Sequence, residues 1–176
     1  MKYVTERDIY NTEQLNHVLE NLPPFCHAFF LGIEQTTSPL TRLGYARDLE
    51  IFFNFLMTET EKFHDYQISD FDKEDLNQIT IDDLELYMSF LTHYKKSDHD
   101  YLNGERGKMR KMAALRSFFK YFYRRGDLKE NIMTKVDLPK IHEKSIIRLS
   151  DDEVDKMLAA SAKNQRDAMM KKVLFV

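Results

Sequence analysis

Between Asn103 and Gly126 the chain places Met112, Leu115, Phe119, Phe122 and Tyr123 at intervals of mostly three and four residues, a spacing that calls for an α-helix with one buried side. At about 100° per residue these five share one sector, while Arg106, Arg110, Lys120 and Arg124 fall on the opposite one. Such a helix is stable only against a partner layer, so the segment demands a packed core around it. Eight Lys and Arg stand against a single Glu here, in a chain whose formal net charge is −3. Ala113 and Ser117 lie between the cations. Small side chains there let a backbone approach a phosphate ridge or groove wall, with Arg and Lys reaching phosphates and guanine edges. A solvated basic face on a core helix fits the same pattern, and charge alone leaves both readings open.

With 176 residues the chain is long enough for one sizeable domain, or for a compact domain and part of another. Its 43% hydrophobic and 31% charged residues exclude wholesale disorder. Only five Gly and four Pro punctuate it, which favours helices over sheets with frequent turns. No apolar run reaches membrane-spanning length, and Met1-Lys2-Tyr3 opens onto a polar segment without a signal-peptide core. No membrane partner and a cytoplasmic location are therefore expected. A lone Cys26 excludes an internal disulfide or a multi-cysteine zinc site, and its apolar setting from Pro24 to Phe30 predicts a buried structural thiol. The six His are scattered without metal-type spacing, so neither a metal nor a cofactor is expected.

Residues 1–21 read as an N-terminal extension with a short helix near Glu13 to Leu19. Pro23-Pro24 precedes a helix from Phe25 to Glu34 that turns Phe25, Phe29, Phe30 and Ile33 inward. Ser38-Pro39 marks the start of the next, which runs to about Met57 with Tyr45, Leu49, Phe52, Phe53 and Leu56 inward. The acidic stretch from Thr58 to Gln78 reads as a connecting loop with a turn of helix at Lys73 to Leu76. Thr80 caps a helix carrying Leu84, Tyr87, Met88 and Leu91, and Lys95 to Gly104 reads as a polar loop before the basic helix. Residues 22–126 are thus predicted to form a helical bundle without a sheet, its core including Phe29, Leu49, Phe52, Leu56, Leu84, Leu91, Leu115, Phe119 and Phe122. Residues 127–148 read as a linker, and 149–176 as a cap at Ser150 followed by helices whose last apolar run, Lys171 to Val176, stops mid-helix as if truncated.

Three segments resemble the tyrosine recombinase, or phage-integrase, family. Ser38-Pro39-Leu40-Thr41-Arg42-Leu43-Gly44-Tyr45-Ala46-Arg47-Asp48-Leu49 with Phe52-Phe53-Asn54-Phe55-Leu56 is similar to its "S-x-x-T-x-x-x-Y-x-x-D-L-x-x-F-x-x-F-L" helix. Arg110-Lys111-Met112-Ala113-Ala114-Leu115-Arg116-Ser117-Phe118-Phe119-Lys120-Tyr121 is similar to its "R-R-L-S-A-L-R-S-F-F-x-Y-L". Leu138-Pro139-Lys140 and Leu149-Ser150-Asp151-Asp152-Glu153-Val154 resemble the linker and the opening of its catalytic domain. Where the family often has Ser or Thr before the basic helix, this chain has Glu105-Arg106-Gly107.

The resemblance implies an all-α, SAM-like orthogonal bundle of four to five helices over 22–126, forming half of a clamp around DNA. It implies that the parent enzyme exchanges strands through a phosphotyrosine intermediate without metal or cofactor, and that the catalytic arginines and tyrosine lie beyond Val176. No catalytic residue is assigned in this chain, which is expected to be inactive alone. The implied DNA contacts are Thr41, Arg42, Tyr45 and Arg47 on one helix and Lys108, Arg110, Lys111, Arg116, Lys120 and Arg124 on the other. Double-stranded DNA and sister recombinase protomers on it are the implied partners, the chain being monomeric without DNA. A stand-alone helical DNA-binding regulator and a helical protein interaction module are the competing readings.

Overall fold

The computed structural model describes residues 2–96, 98–138, 150, 152–154 and 156. Two compact units divide the chain, 1–141 and 142–176. The first is built of helices α1 (Lys2–Leu19), α2 (Cys26–Gly32), α3 (Pro39–Glu59), α4 (Ile81–Phe90) and α5 (Glu105–Arg124). Between α4 and α5 the strands β1 (His93–Lys96) and β2 (His99–Leu102) pair antiparallel, with Tyr94 opposite Tyr101. The hairpin corrects both the sheet-free prediction and the polar loop assigned from Lys95. Its turn holds Asp98 at φ 61°, and Tyr94 and Tyr101 stack at 5.2 Å to close it.

Helix α3 is the axis of the unit. Leu43, Ala46, Leu49, Phe52, Phe53, Phe55 and Leu56 are buried around most of its circumference, because α1 packs along it as well as α5. A helix apolar on so many sides belongs inside a bundle. Its start follows local chemistry: Pro39 sits in the first turn and the Ser38 hydroxyl accepts a hydrogen bond from the Thr41 amide at 3.2 Å. Helix α4 opens on a capping box, the Thr80 hydroxyl accepting from the Asp83 amide and the Asp83 carboxylate accepting from the Thr80 amide. Helix α5 ends at Gly126, whose φ of +78° is the left-handed conformation that closes a helix.

Every residue of the predicted core is without accessible surface, 0% for all nine. Phe55, Phe63, Phe118 and Met133 join them. The acidic stretch after α3 is a folded part of this core: Phe63, Tyr66 and Phe71 cluster with ring centroids 5.0–5.2 Å apart, and Leu76 and Ile79 are buried beside them. The turn predicted at Lys73 to Leu76 is a 3₁₀ turn at Asp75–Asn77. After α5, Leu128, Ile132, Met133 and Val136 are buried too, so residues 127–138 pack on the bundle. Helix α1 spans eighteen residues where a short helix near Glu13 was expected, seated through Leu15 and Leu19. Cys26 is fully buried and burial pushes its thiol far above the ordinary range, as befits a structural cysteine. Phe119→Ala is expected to cost on the order of 3 kcal/mol or more, read from urea denaturation. A loss under about 1 kcal/mol would contradict the burial.

In the second unit the Ser150 amide and hydroxyl donate to the Glu153 carboxylate at 2.8 and 2.9 Å, a cap before helical Asp152–Val154. The Pro139-Lys140 segment and the apolar run from Lys171 to Val176 lie outside the described residues.

Candidate nucleic-acid interface

The basic helix α5 turns Lys111, Met112, Ala114, Leu115, Phe118, Phe119 and Phe122 into the core. Its outer side exposes Arg106, Arg110, Ala113, Arg116, Lys120 and Arg124, with Ser117 half-buried among them. Tyr123, placed inward by its spacing, is 47% exposed, because Phe118 and Ala114 draw the buried sector round the other way. On α3 the narrow uncovered strip carries Leu40, Thr41, Arg47 and Asn54.

One buried carboxylate joins these two faces. Asp48 is 1% exposed and receives both terminal nitrogens of Arg110, at 2.6 and 2.8 Å, and the ammonium of Lys111 at 3.2 Å. Burial pushes the Asp48 carboxyl up from its ordinary value, against the pull of the Lys111 and Arg110 charges. A charge this deep is tolerated because both cations and their hydrogen bonds compensate it. Arg110 keeps a side chain 55% exposed while two bonds fix its plane.

The ten positions singled out in the sequence do not all reach this face. Thr41 does: it is exposed at the start of α3 and its hydroxyl shares a 3.0 Å hydrogen bond with Ser38. Arg47, Arg116, Lys120 and Arg124 are exposed, and among the described residues no ion pair engages them. Arg106 joins them as a fifth exposed cation. Lys108 is half-buried, its ammonium donating to the Thr92 hydroxyl at 2.5 Å. Three positions belong to the interior instead. Arg42 is 8% exposed and donates to Glu34 at 2.7 Å, Lys111 is 5% exposed on Asp48, and Tyr45 stacks half-buried on Phe29 with centroids 6.4 Å apart. Their place follows from the breadth of the buried arcs on α3 and α5, which extend past the apolar residues to take in flanking cations. Sequence reasoning gave Asp48 no role. The signal was there, since a carboxylate between Ala46 and Leu49 on an inward arc requires a cation to meet it.

Residues 28–126, more than half of the chain, match the phage integrase, N-terminal SAM-like domain. The chain belongs to the tyrosine recombinase family. This integrase-family chain is 31% identical over 145 residues to the tyrosine recombinase XerC of Caldanaerobacter subterraneus subsp. tengcongensis, covering 77% of the chain and 39% of the relative. It is 29% identical to XerC of Anoxybacillus flavithermus, over 83% of the chain and 44% of the relative. With XerD of Listeria monocytogenes it shares 28% identity over 92% of its own length and 48% of the relative's. It thus spans less than half the length of these relatives. No solved structure matches it. Among the described residues no helix is long and apolar enough to cross a membrane.

Proposed function

We propose that this chain is the DNA-binding portion of a site-specific tyrosine recombinase, and that it clamps one side of duplex DNA at a recombination site through the exposed faces of α3 and α5. The observation that supports this reading is the set of cations without an ion-pair partner among the described residues, Arg47, Arg106, Arg116, Lys120 and Arg124, on two helices that Asp48 ties together. Three cations elsewhere in the unit are held by carboxylates: Lys62 by Asp83, Lys73 by Asp127 and Lys96 by Glu50. On the proposed face none of the five cations has an ion-pair partner among the described residues, which leaves them open to phosphates. Thr41 and the cations contact the backbone, and Arg110, its plane set by Asp48, presents its exposed edge to the groove. Sister protomers on the same DNA, and a cytoplasmic location, go with this reading.

The test is a titration of the 176-residue protein against duplex DNA at several salt concentrations. At ~0.9 per phosphate, three to five engaged cations give a slope of log K on log salt of about −3 to −5. Absence of binding at low salt, or binding indifferent to salt, would overturn the reading.

A further inference from the structure

The α3/α5 face ends in a notch between the last turns of α5 and the end of α2. Lys120, Arg124 and Arg125 line it together with the hydroxyl residues Thr36, Ser117 and Tyr121, and no carboxylate is among the lining residues. We propose that this notch, which shares Lys120 and Arg124 with the α3/α5 face, is a phosphate site whose Arg125 adds a grip on the backbone of duplex DNA at a point away from Arg47 and Arg110. The proposal rests on the DNA-binding reading above and adds to it a defined anchoring group, with Arg125 at its centre.

The wall of the notch is built with little freedom. The Tyr121 ring lies so close to α2 that a Cβ on Gly32 would fall 2.2 Å from it, so only glycine admits the ring there. Its hydroxyl donates to the Ala28 carbonyl at 2.6 Å and accepts from Arg125 at 3.2 Å. The Arg125 guanidinium lies over the same ring, 5.4 Å from its centroid, and its Nε meets Asp127 at 3.5 Å. Arg125 is therefore held by contacts through Nε and Nη1. Its Nη2 has no partner among the described residues, and the side chain is 54% exposed. A guanidinium oriented in this way loses little freedom on meeting a phosphate oxygen. Lys120 and Arg124, exposed beside it, bring two more positive charges with no acid between them.

Spacing separates this site from the first patch. At 1.5 Å per residue, Arg125 stands about 22 Å along α5 from Arg110. That distance is several times the ~3.4 Å axial rise per phosphate of one strand, so one phosphate cannot meet both. The two sites must therefore engage different phosphates. A grip on backbone oxygens alone acts on all sequences alike.

The experiment compares the wild-type chain with Arg124→Ala, Arg125→Ala and Arg47→Ala, on two duplexes of unrelated sequence across a salt series, with melting temperatures recorded in chloride and in inorganic phosphate. Each notch variant is expected to lower the slope of log K on log salt by about one unit on both duplexes, and to weaken binding by about tenfold at low salt, with a melting temperature in chloride near wild type. A wild-type slope for Arg125→Ala, beside a reduced slope for Arg47→Ala, would overturn the notch while the DNA reading stands. Failure of the wild type to bind either duplex would overturn that reading and the notch with it. If inorganic phosphate raises the melting temperature of wild type but not of Arg125→Ala, and the DNA slopes are equal, the site takes free phosphate and the proposal falls.

Discussion

Asp48→Ala is expected to destabilise the fold by about 3 to 5 kcal/mol, read from the midpoint and slope of urea denaturation at neutral pH. The loss arises less from the missing bonds than from what they leave behind. Lys111 is 5% exposed, and without Asp48 its ammonium stands buried with no anion to meet it. Arg110 loses both of its bonds as well, but at 55% exposure it can turn to water, so it adds little to the cost. The comparison of variants follows from that difference. Lys111→Met in the Asp48→Leu background should recover much of the stability, because a well-packed apolar pair replaces a stranded charge. Arg110→Ala alone should be milder than Asp48→Ala. A loss below about 1 kcal/mol for Asp48→Ala would mean that Lys111 reaches solvent, and that the link between α3 and α5 is not the buried triad described.

What could be read from the sequence was whatever a single helix records about itself. The capping hydroxyls of Ser38 and Thr80, the glycine after Arg125 and the apolar stripe through Leu49, Phe52 and Leu56 are local signals, and each marks a true boundary or face. The all-α class follows from them. The hairpin at His93–Lys96 and His99–Leu102 was not legible, because its strands are short and polar and its register depends on the Tyr94–Tyr101 stack and on Lys96 reaching Glu50 at 2.7 Å. The stretch after α3 is dense in Asp and Glu, and that density hides Phe63, Phe71 and Leu76, whose burial depends on partners distant in sequence. In the candidate site the same limit decided which cations face outward. Helical spacing put Arg110 and Arg124 on the outer side of α5, but the fates of Arg42 and Lys111 were set by Glu34 and Asp48, which only the packing of the chain brings within reach.

DNA binding by this chain depends on the exposed cations of α3 and α5 that have no ion-pair partner among the described residues. The most direct measurement is the affinity of Arg47→Ala/Arg106→Ala/Arg116→Ala for duplex DNA across a salt series, beside a control that removes cations already held by carboxylates, Lys62→Ala/Lys73→Ala. None of the three arginines has an ion-pair partner among the described residues, so their removal should leave the melting temperature close to wild type. Each phosphate contact contributes about 0.9 to the slope, and ~1.3 decades separate 1 M salt from ~50 mM, so three lost contacts predict a weakening on the order of a thousand-fold at the lower salt. The slope itself should fall by about three units, and the control should keep the wild-type slope. If the triple variant binds with the affinity and slope of the wild type, the basic face of α5 is a solvated surface and the DNA contact lies elsewhere.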